Sequence, residues 1–161
     1  MSNISILDES NTKEIINFEK RNIIREGENF YCDLEMNKMF LSDDTLLRKT
    51  MFDGTVMFAA EREGNKISKI CMFAIPNQTT KSAVIKVLMC NRDPVFLGES
   101  IAKLEEFIEG SIYTKIRMTT YGEKRLEKLH KLIENLDMSL ESVIETNIGT
   151  RYVFSKTINM R

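Results

Sequence analysis

Proline and tryptophan are nearly missing from this chain of 161 residues, which holds two prolines and no tryptophan. No proline-rich tract or low-complexity linker is present, and no internal repeat, so the sequence does not read as an array or as domains strung on a tether. One histidine and no CxxC pair leave a metal site little support, and none is expected. The three cysteines, Cys32, Cys71 and Cys90, are far apart, two of them inside apolar runs. That pattern reads as buried thiols rather than disulfides or ligands. An excess of charge is missing too: 23 basic and 24 acidic residues are interspersed, so nothing steers the chain toward nucleic acid or an anionic membrane. No apolar run approaches the length of a membrane span, and the first residues lack the basic-then-apolar pattern of a signal peptide. A soluble cytoplasmic protein is expected.

What is present is an ordinary globular composition, 42% hydrophobic, in a length suited to one domain over 1–161. Its most informative stretch is 81–110. Ala83, Val84, Ile85, Val87, Leu88, Met89 and Cys90 are too continuously apolar for a half-exposed strand and predict a central strand covered on both faces. After Pro94 the period changes: Ile101, Leu104 and Ile108 recur three and four apart among charged residues, which predicts an amphipathic helix stopped by Gly110. Between strand and helix the sequence predicts a short polar turn. Backbone N–H groups at a helix start are unpaired and the helix dipole favours an anion there, so such a turn can hold phosphate. Gly98 would allow close backbone approach and Ser100 is small. The plainer reading of the same residues is structural punctuation.

The rest of the chain reads as follows. Residues 4–7 form a first strand, Asp8 and its neighbours cap a helix with Ile15, Ile16, Phe18, Ile23 and Ile24 on its buried side, and that helix ends near Gly27. Ser42, Asp43 and Asp44 cap a second helix through Thr50. Strands over 55–61 and 66–75 flank a hairpin turn at Gly64 and Asn65. A strand over 112–120, a helix over 122–136 with Leu126, Leu129, Ile133 and Leu136 on one face, and a hairpin of 140–146 with 151–158 complete the chain.

This order, with the apolar strand, glycine-bearing turn and helix at its centre, resembles the GNAT superfamily of acyl-CoA-dependent N-acyltransferases. The resemblance runs the length of the chain. The family motif has small and apolar strand positions, here Ala83, Ile85 and Leu88, followed by a turn written Arg/Gln-x-x-Gly-x-Gly/Ala. Gly98 falls on its first glycine and Ser100 on its second; the Arg/Gln position falls on Val95, and Glu99 lies between. The tail is similar as well, with Asp137 and Met138 where the family has Gly-Phe. The resemblance implies an α/β fold with a mixed, mainly antiparallel sheet of about seven strands flanked by about four helices. It also implies an acyl-CoA, acetyl-CoA above all, held by Leu88, Met89 and Cys90 of the strand and by Val95, Phe96, Leu97, Gly98, Glu99 and Ser100 of the turn. Arg92 and Lys103 flank that turn and could neutralise phosphates, or form surface ion pairs.

The chemistry implied is transfer of an acyl group from the thioester to a primary amine of a small molecule or protein. A general base frees the amine, a backbone N–H at a strand bulge polarises the carbonyl, and a general acid protonates the thiolate. The family's usual helix Tyr falls on Ile133, which has no proton to give. Tyr121, where the family's strands splay to admit the thioester, and His130, one helical turn before Ile133, are the candidate acids. Each has a plain structural alternative, as a core-edge ring and as a helix-surface residue. Glu61, Glu141 and Glu145 are base candidates without diagnostic spacing. The alternative function is a GNAT-fold binding or regulatory module that has lost catalysis, in one form a homodimer, because the basic turn residue, the second glycine and the helix Tyr are replaced together.

Overall fold

The computed structural model describes residues 3–23, 28–32, 44–76 and 83–158. Strand β1 (Ile4–Leu7) leads through a 3-10 turn into α1 (Thr12–Ile23); β2 (Asn29–Tyr31) and α2 (Asp44–Phe52) precede the hairpin β3 (Val56–Glu63) and β4 (Lys66–Ala74). Then come β5 (Val84–Asn91), α3 (Pro94–Phe107), β6 (Lys115–Tyr121), α4 (Glu123–Ile133), β7 (Ser139–Thr146) and β8 (Gly149–Thr157). The expected α/β architecture is therefore met, with eight strands and four α-helices among the described residues. The eighth strand is β2, absent from the expectation. Ile24, Gly27, Ser42 and Asp43, read from the sequence as the end of the first helix and the cap of the second, lie outside the described residues.

The strands form one sheet in the order β1-β3-β4-β5-β6-β8-β7, with β2 paired to β5 off that path. Only β5 and β6 run parallel, because α3 crosses between them; the other pairs are antiparallel. Sequence patterning explains the layers. Along β6, Ile116 and Met118 enter a core with Leu97, Ile101 and Leu129 of α3 and α4, whereas Arg117, Thr119 and Tyr121 point to the other face. There Phe58, Ile70 and Met72 pack with Ile15 and Phe18 of α1 and Leu47 and Met51 of α2. From Ile85 to Cys90 strand β5 is buried on both faces except at Lys86, as its unbroken apolar run requires.

Local signals account for the ends. The Asp8 carboxylate and the Asn11 side chain close a reciprocal capping box before α1. Gly64, at φ 65°, makes the turn between β3 and β4. β6 begins at Lys115 rather than 112, since Thr114 and Lys115 are the first N–H groups to reach the Ala83 carbonyl and Ile112 is half exposed. Cys71 and Cys90 face each other across β4 and β5, both fully buried and reduced; burial pushes the Cys90 thiol well up, with Cys71 adding to it.

Candidate functional site

The expected phosphate turn is not a turn. Strand β5 ends at Asn91, and α3 begins at Pro94, so Val95 to Ser100 are helical. Proline suits the first helical position because its missing N–H would have had no partner there. Asp93 is the N-cap: its Oδ1 accepts from the N–H of Val95 at 3.0 Å and of Phe96 at 3.3 Å, while its carbonyl accepts from Leu97. Its second oxygen, Oδ2, receives Lys69 Nζ at 2.5 Å, and Glu61 lies 3.5 Å from the same ammonium. Lys69 holds the Asp93 carboxyl below its ordinary range. The anion at the start of α3 is thus the protein's own carboxylate.

Each residue expected to hold acyl-CoA at this turn has a position in the helix. Val95 is exposed; Phe96 and Leu97 are core residues at 2% and 0% exposure. Bringing Phe96 out to reopen the turn would cost about 2–3 kcal/mol in lost burial. Gly98 lies on the second turn of α3, where the N–H is paired within the helix. A Cβ there would meet Leu136 Cδ2 at 3.2 Å. The missing side chain at Gly98 therefore leaves room for Leu136, which follows α4. Ser100 is fully buried, with no partner for its hydroxyl, and Glu99 is half-buried. Lys103 pairs with Glu106 at 3.7 Å, and Arg92 is exposed.

The strand part of the expected site keeps more. Opposite the consecutive Met72 and Phe73, the register on β5 jumps from Met89 to Val87, leaving Leu88 as the extra residue of a bulge. Beyond Lys86, β6 diverges: the parallel pairing covers only Val84 to Lys86. Here β2 takes up the edge that β6 leaves, since β4 already occupies the other. Phe30 registers with Cys90 and Tyr31 with Met89, the Cys32 N–H donates to the Leu88 carbonyl, and the Arg92 N–H donates to Glu28. Met89 and Cys90 are fully buried, and both strand neighbours claim their backbone.

Two side chains pin β2. Arg125 Nη1 at the start of α4 donates to the Tyr31 carbonyl at 3.3 Å, and the Tyr31 hydroxyl donates to Glu19 Oε1 of α1 at 2.6 Å. Glu19 is 8% exposed, and its burial raises the carboxyl above its ordinary value although the Tyr31 bond opposes this. Burial, and then the bond to Glu19, also raise the Tyr31 phenol. Sequence reasoning missed this pair. Glu19 sits one residue after Phe18 on the apolar side of α1, and a carboxylate next to that stripe was the available signal.

Between the separated halves of β5 and β6 lies a cavity of about 370 Å³. Leu88, Val87 and Ile148 give it apolar wall; Tyr121 and Thr119 offer hydroxyls; Lys86, Arg117, Arg125 and Arg151 give it four cations. No carboxylate among the described residues lines it. Outside the wall, Glu141 accepts from Arg117 Nε at 2.9 Å, Arg117 Nη2 at 3.0 Å and Lys115 Nζ at 2.8 Å. Arg117 first and Lys115 second hold its carboxyl down at about 2. Glu145 accepts from the Thr150 hydroxyl. Each of the three candidate bases is therefore engaged with a cation or hydroxyl outside the cavity.

The two candidate acids are not brought together. Tyr121 lines this cavity with Leu88, whereas His130 lies on the exposed flank of α4, edge-on to Phe154 with ring centroids 5.3 Å apart, in a separate groove. The reason is the strand period: Tyr121 belongs to the face of β6 opposite α4. Ile133 is a buried core residue on the same helix.

Searches by sequence gave no match to a family model and none to a curated protein. Solved structures do match over nearly full length. A probable acetyltransferase from Staphylococcus epidermidis aligns with TM-score 0.71 and 10% identity, covering 98% of this chain and 99% of its own. A GNAT-family acetyltransferase from Streptococcus pneumoniae aligns with TM-score 0.68 and 13% identity, covering 96% and 98%. A ribosomal L7/L12 alpha-N-protein acetyltransferase solved in complex with coenzyme A gives 0.62 and 9%, covering 99% and 96%. At such identities the likeness speaks for the backbone alone, and on it the chain has the GNAT fold, with the bulged central strand and the divergence of β5 from β6.

Proposed function

We propose that this chain is a GNAT-fold binding module that does not anchor acyl-CoA at the start of α3. The observation that carries this reading is the Asp93 carboxylate, which takes the N–H groups of Val95 and Phe96 while bound to Lys69. An incoming pyrophosphate would have to displace a like charge and forfeit a helix cap worth about 1 kcal/mol. The ligand site of the module is the cavity between β5 and β6. A homodimer belongs to the same reading: β7 ends the sheet and leaves Leu140, Val143 and Ile144 about half exposed for a second copy.

A second reading, acyl-CoA-dependent N-acyltransfer to a primary amine, is supported by the Leu88 bulge and by Tyr121 beside it in the cavity. Acetyl-CoA would be the co-substrate. The amine nitrogen would attack the thioester carbonyl, the carbon–sulfur bond would break with its electron pair on sulfur, the Tyr121 hydroxyl would protonate the departing thiolate, and the proton shed by the nitrogen would pass through water to restore the Tyr121 hydroxyl.

Calorimetry with acetyl-CoA, together with a thiol-release assay over a panel of amines, separates the two. The binding-module reading expects no turnover, and no saturable heat that Val95→Glu abolishes. Val95 is the position to change because it is exposed in the first turn, whereas Gly98 substitutions confound binding with the Leu136 contact. Saturable binding lost in Val95→Glu, with thiol release on adding an amine, overturns the module reading and establishes the enzyme.

A further inference from the structure

Resting on the binding-module reading, we propose that the cavity between β5 and β6 is a site for a small organic oxyanion, a phosphate- or carboxylate-bearing molecule, rather than for an amine. The argument starts from charge. Four cationic side chains converge from four elements: Lys86 from β5, Arg117 from β6, Arg125 from α4 and Arg151 from β8. The chain as a whole is almost neutral, so this concentration is local. Arg117 is answered by Glu141, which it shares with Lys115. Arg125 spends one N–H on the Tyr31 carbonyl. Lys86 and Arg151 have no carboxylate within ion-pair distance among the described residues.

Geometry supports the same class. Arg117 and Arg151 are on strands that register side by side with the walls, Arg151 opposite Tyr121 and Arg117 opposite Lys86. The Arg151 guanidinium, unlike that of Arg117, whose Nε and Nη2 are taken by Glu141, presents a planar donor pair that matches the two oxygens of a carboxylate or phosphate, and the Tyr121 and Thr119 hydroxyls add further donors. The apolar side, Val87, Leu88 and Ile148, suits a short carbon skeleton. An ammonium group would find like charge on several sides and no described carboxylate to receive it. A cavity of about 370 Å³ is within the range of small-ligand sites.

The test uses the full chain and three probes: pyrophosphate, citrate and ethylenediamine, titrated by calorimetry at a fixed ionic strength of about 150 mM. Saturation by pyrophosphate or citrate below about 10 mM, with none by ethylenediamine, is the expected result. Pyrophosphate alone would mark the site as phosphate-selective, citrate alone as carboxylate-selective; either sustains the inference. Lys86→Gln/Arg151→Gln should weaken binding about tenfold or more. Both residues are solvent-accessible and neither holds an ion pair that folding would miss. Lys124→Gln/Lys128→Gln, on the outer face of α4, should leave binding unchanged. Failure of both anions to saturate, equal loss in the two double variants, or preference for ethylenediamine overturns the inference. The two readings fail separately. Turnover of acetyl-CoA that Val95→Glu abolishes sinks the module reading and leaves anion binding to stand on its own data. Anions that do not bind, with acetyl-CoA inert as well, sink only the inference. Acetyl-CoA binding that is lost in Lys86→Gln/Arg151→Gln and indifferent to Val95→Glu would place its phosphates in the cavity and so sustain the inference.

Discussion

The start of α3 and the cavity beside β5 differ in who supplies the negative charge. At α3 the chain supplies it: Asp93 caps the helix and Lys69 balances Asp93. In the cavity four cations gather without a lining carboxylate among the described residues. The first region is electrostatically complete, and the second is not. A site that has satisfied its own donors has a structural role, whereas a site with surplus charge awaits a partner.

The largest effect expected from breaking this comparison is at Gly98. Gly98→Val should destabilise the fold by about 2 kcal/mol in urea unfolding, since Leu136 Cδ2 already sits 3.2 Å from the first added atom. A glycine kept for phosphate access would give unchanged stability instead. Asp93→Ala comes next: loss of the cap should cost about 1 kcal/mol, with Asp93→Asn costing less because its side-chain oxygen can still accept from Val95 and Phe96. Asp93→Ala should also gain a weak site for pyrophosphate at the freed N–H groups and Lys69, and calorimetry on the Lys86→Gln/Arg151→Gln background reads that gain directly. No gain would mean that the carboxylate is not what closes this turn.

A smaller effect distinguishes two carboxyls, Glu19 and Glu141, each held by a partner that leads to the cavity wall. Glu19 has a raised folded-state value, so the folded chain binds its proton more tightly than the unfolded one. Its contribution to stability is full below the ordinary Glu value and is lost as pH rises through the raised one. Glu141 is held at about 2, so its contribution is present above the ordinary value and is lost as pH falls toward 2. Thermal melts across pH 2–8 should therefore lose an alkaline-side decline in Glu19→Gln and an acid-side decline in Glu141→Gln. The reverse assignment would show that β2 is not pinned as described. Smallest is the effect of Glu141→Gln on the ligand: releasing Arg117 should tighten pyrophosphate by only a few-fold, because the carboxylate is partly solvated and screened.

Much of the fold was legible because its signals are local. The both-faces-apolar run of β5, the Gly64 turn and the periodicity of α4 each follow from a few adjacent residues. Strand β2 was not legible: three residues cannot display a period, and Asn29–Tyr31 is extended because β5 offers it an edge. The site divided in the same way. Tyr121 and Leu88 were picked out and do share the cavity, but Lys86, Arg117, Arg125 and Arg151 are scattered over 66 positions of sequence with no motif joining them. The glycine of 95–100 is legible in the sequence, but not its packing against Leu136, a side chain 38 residues away.

By itself, then, the sequence determined the alternation of strands and helices, the buried faces and the scarcity of metal ligands, because hydrophobic period and turn chemistry act over a few residues. Only the tertiary structure decided that Asp93 and Lys69 fill the start of α3, that β2 lines the edge left by β6, and that four distant cations face one cavity. Those outcomes depend on which elements the sheet order brings side by side, and burial and charge pairing across that distance are written in no single stretch of the chain.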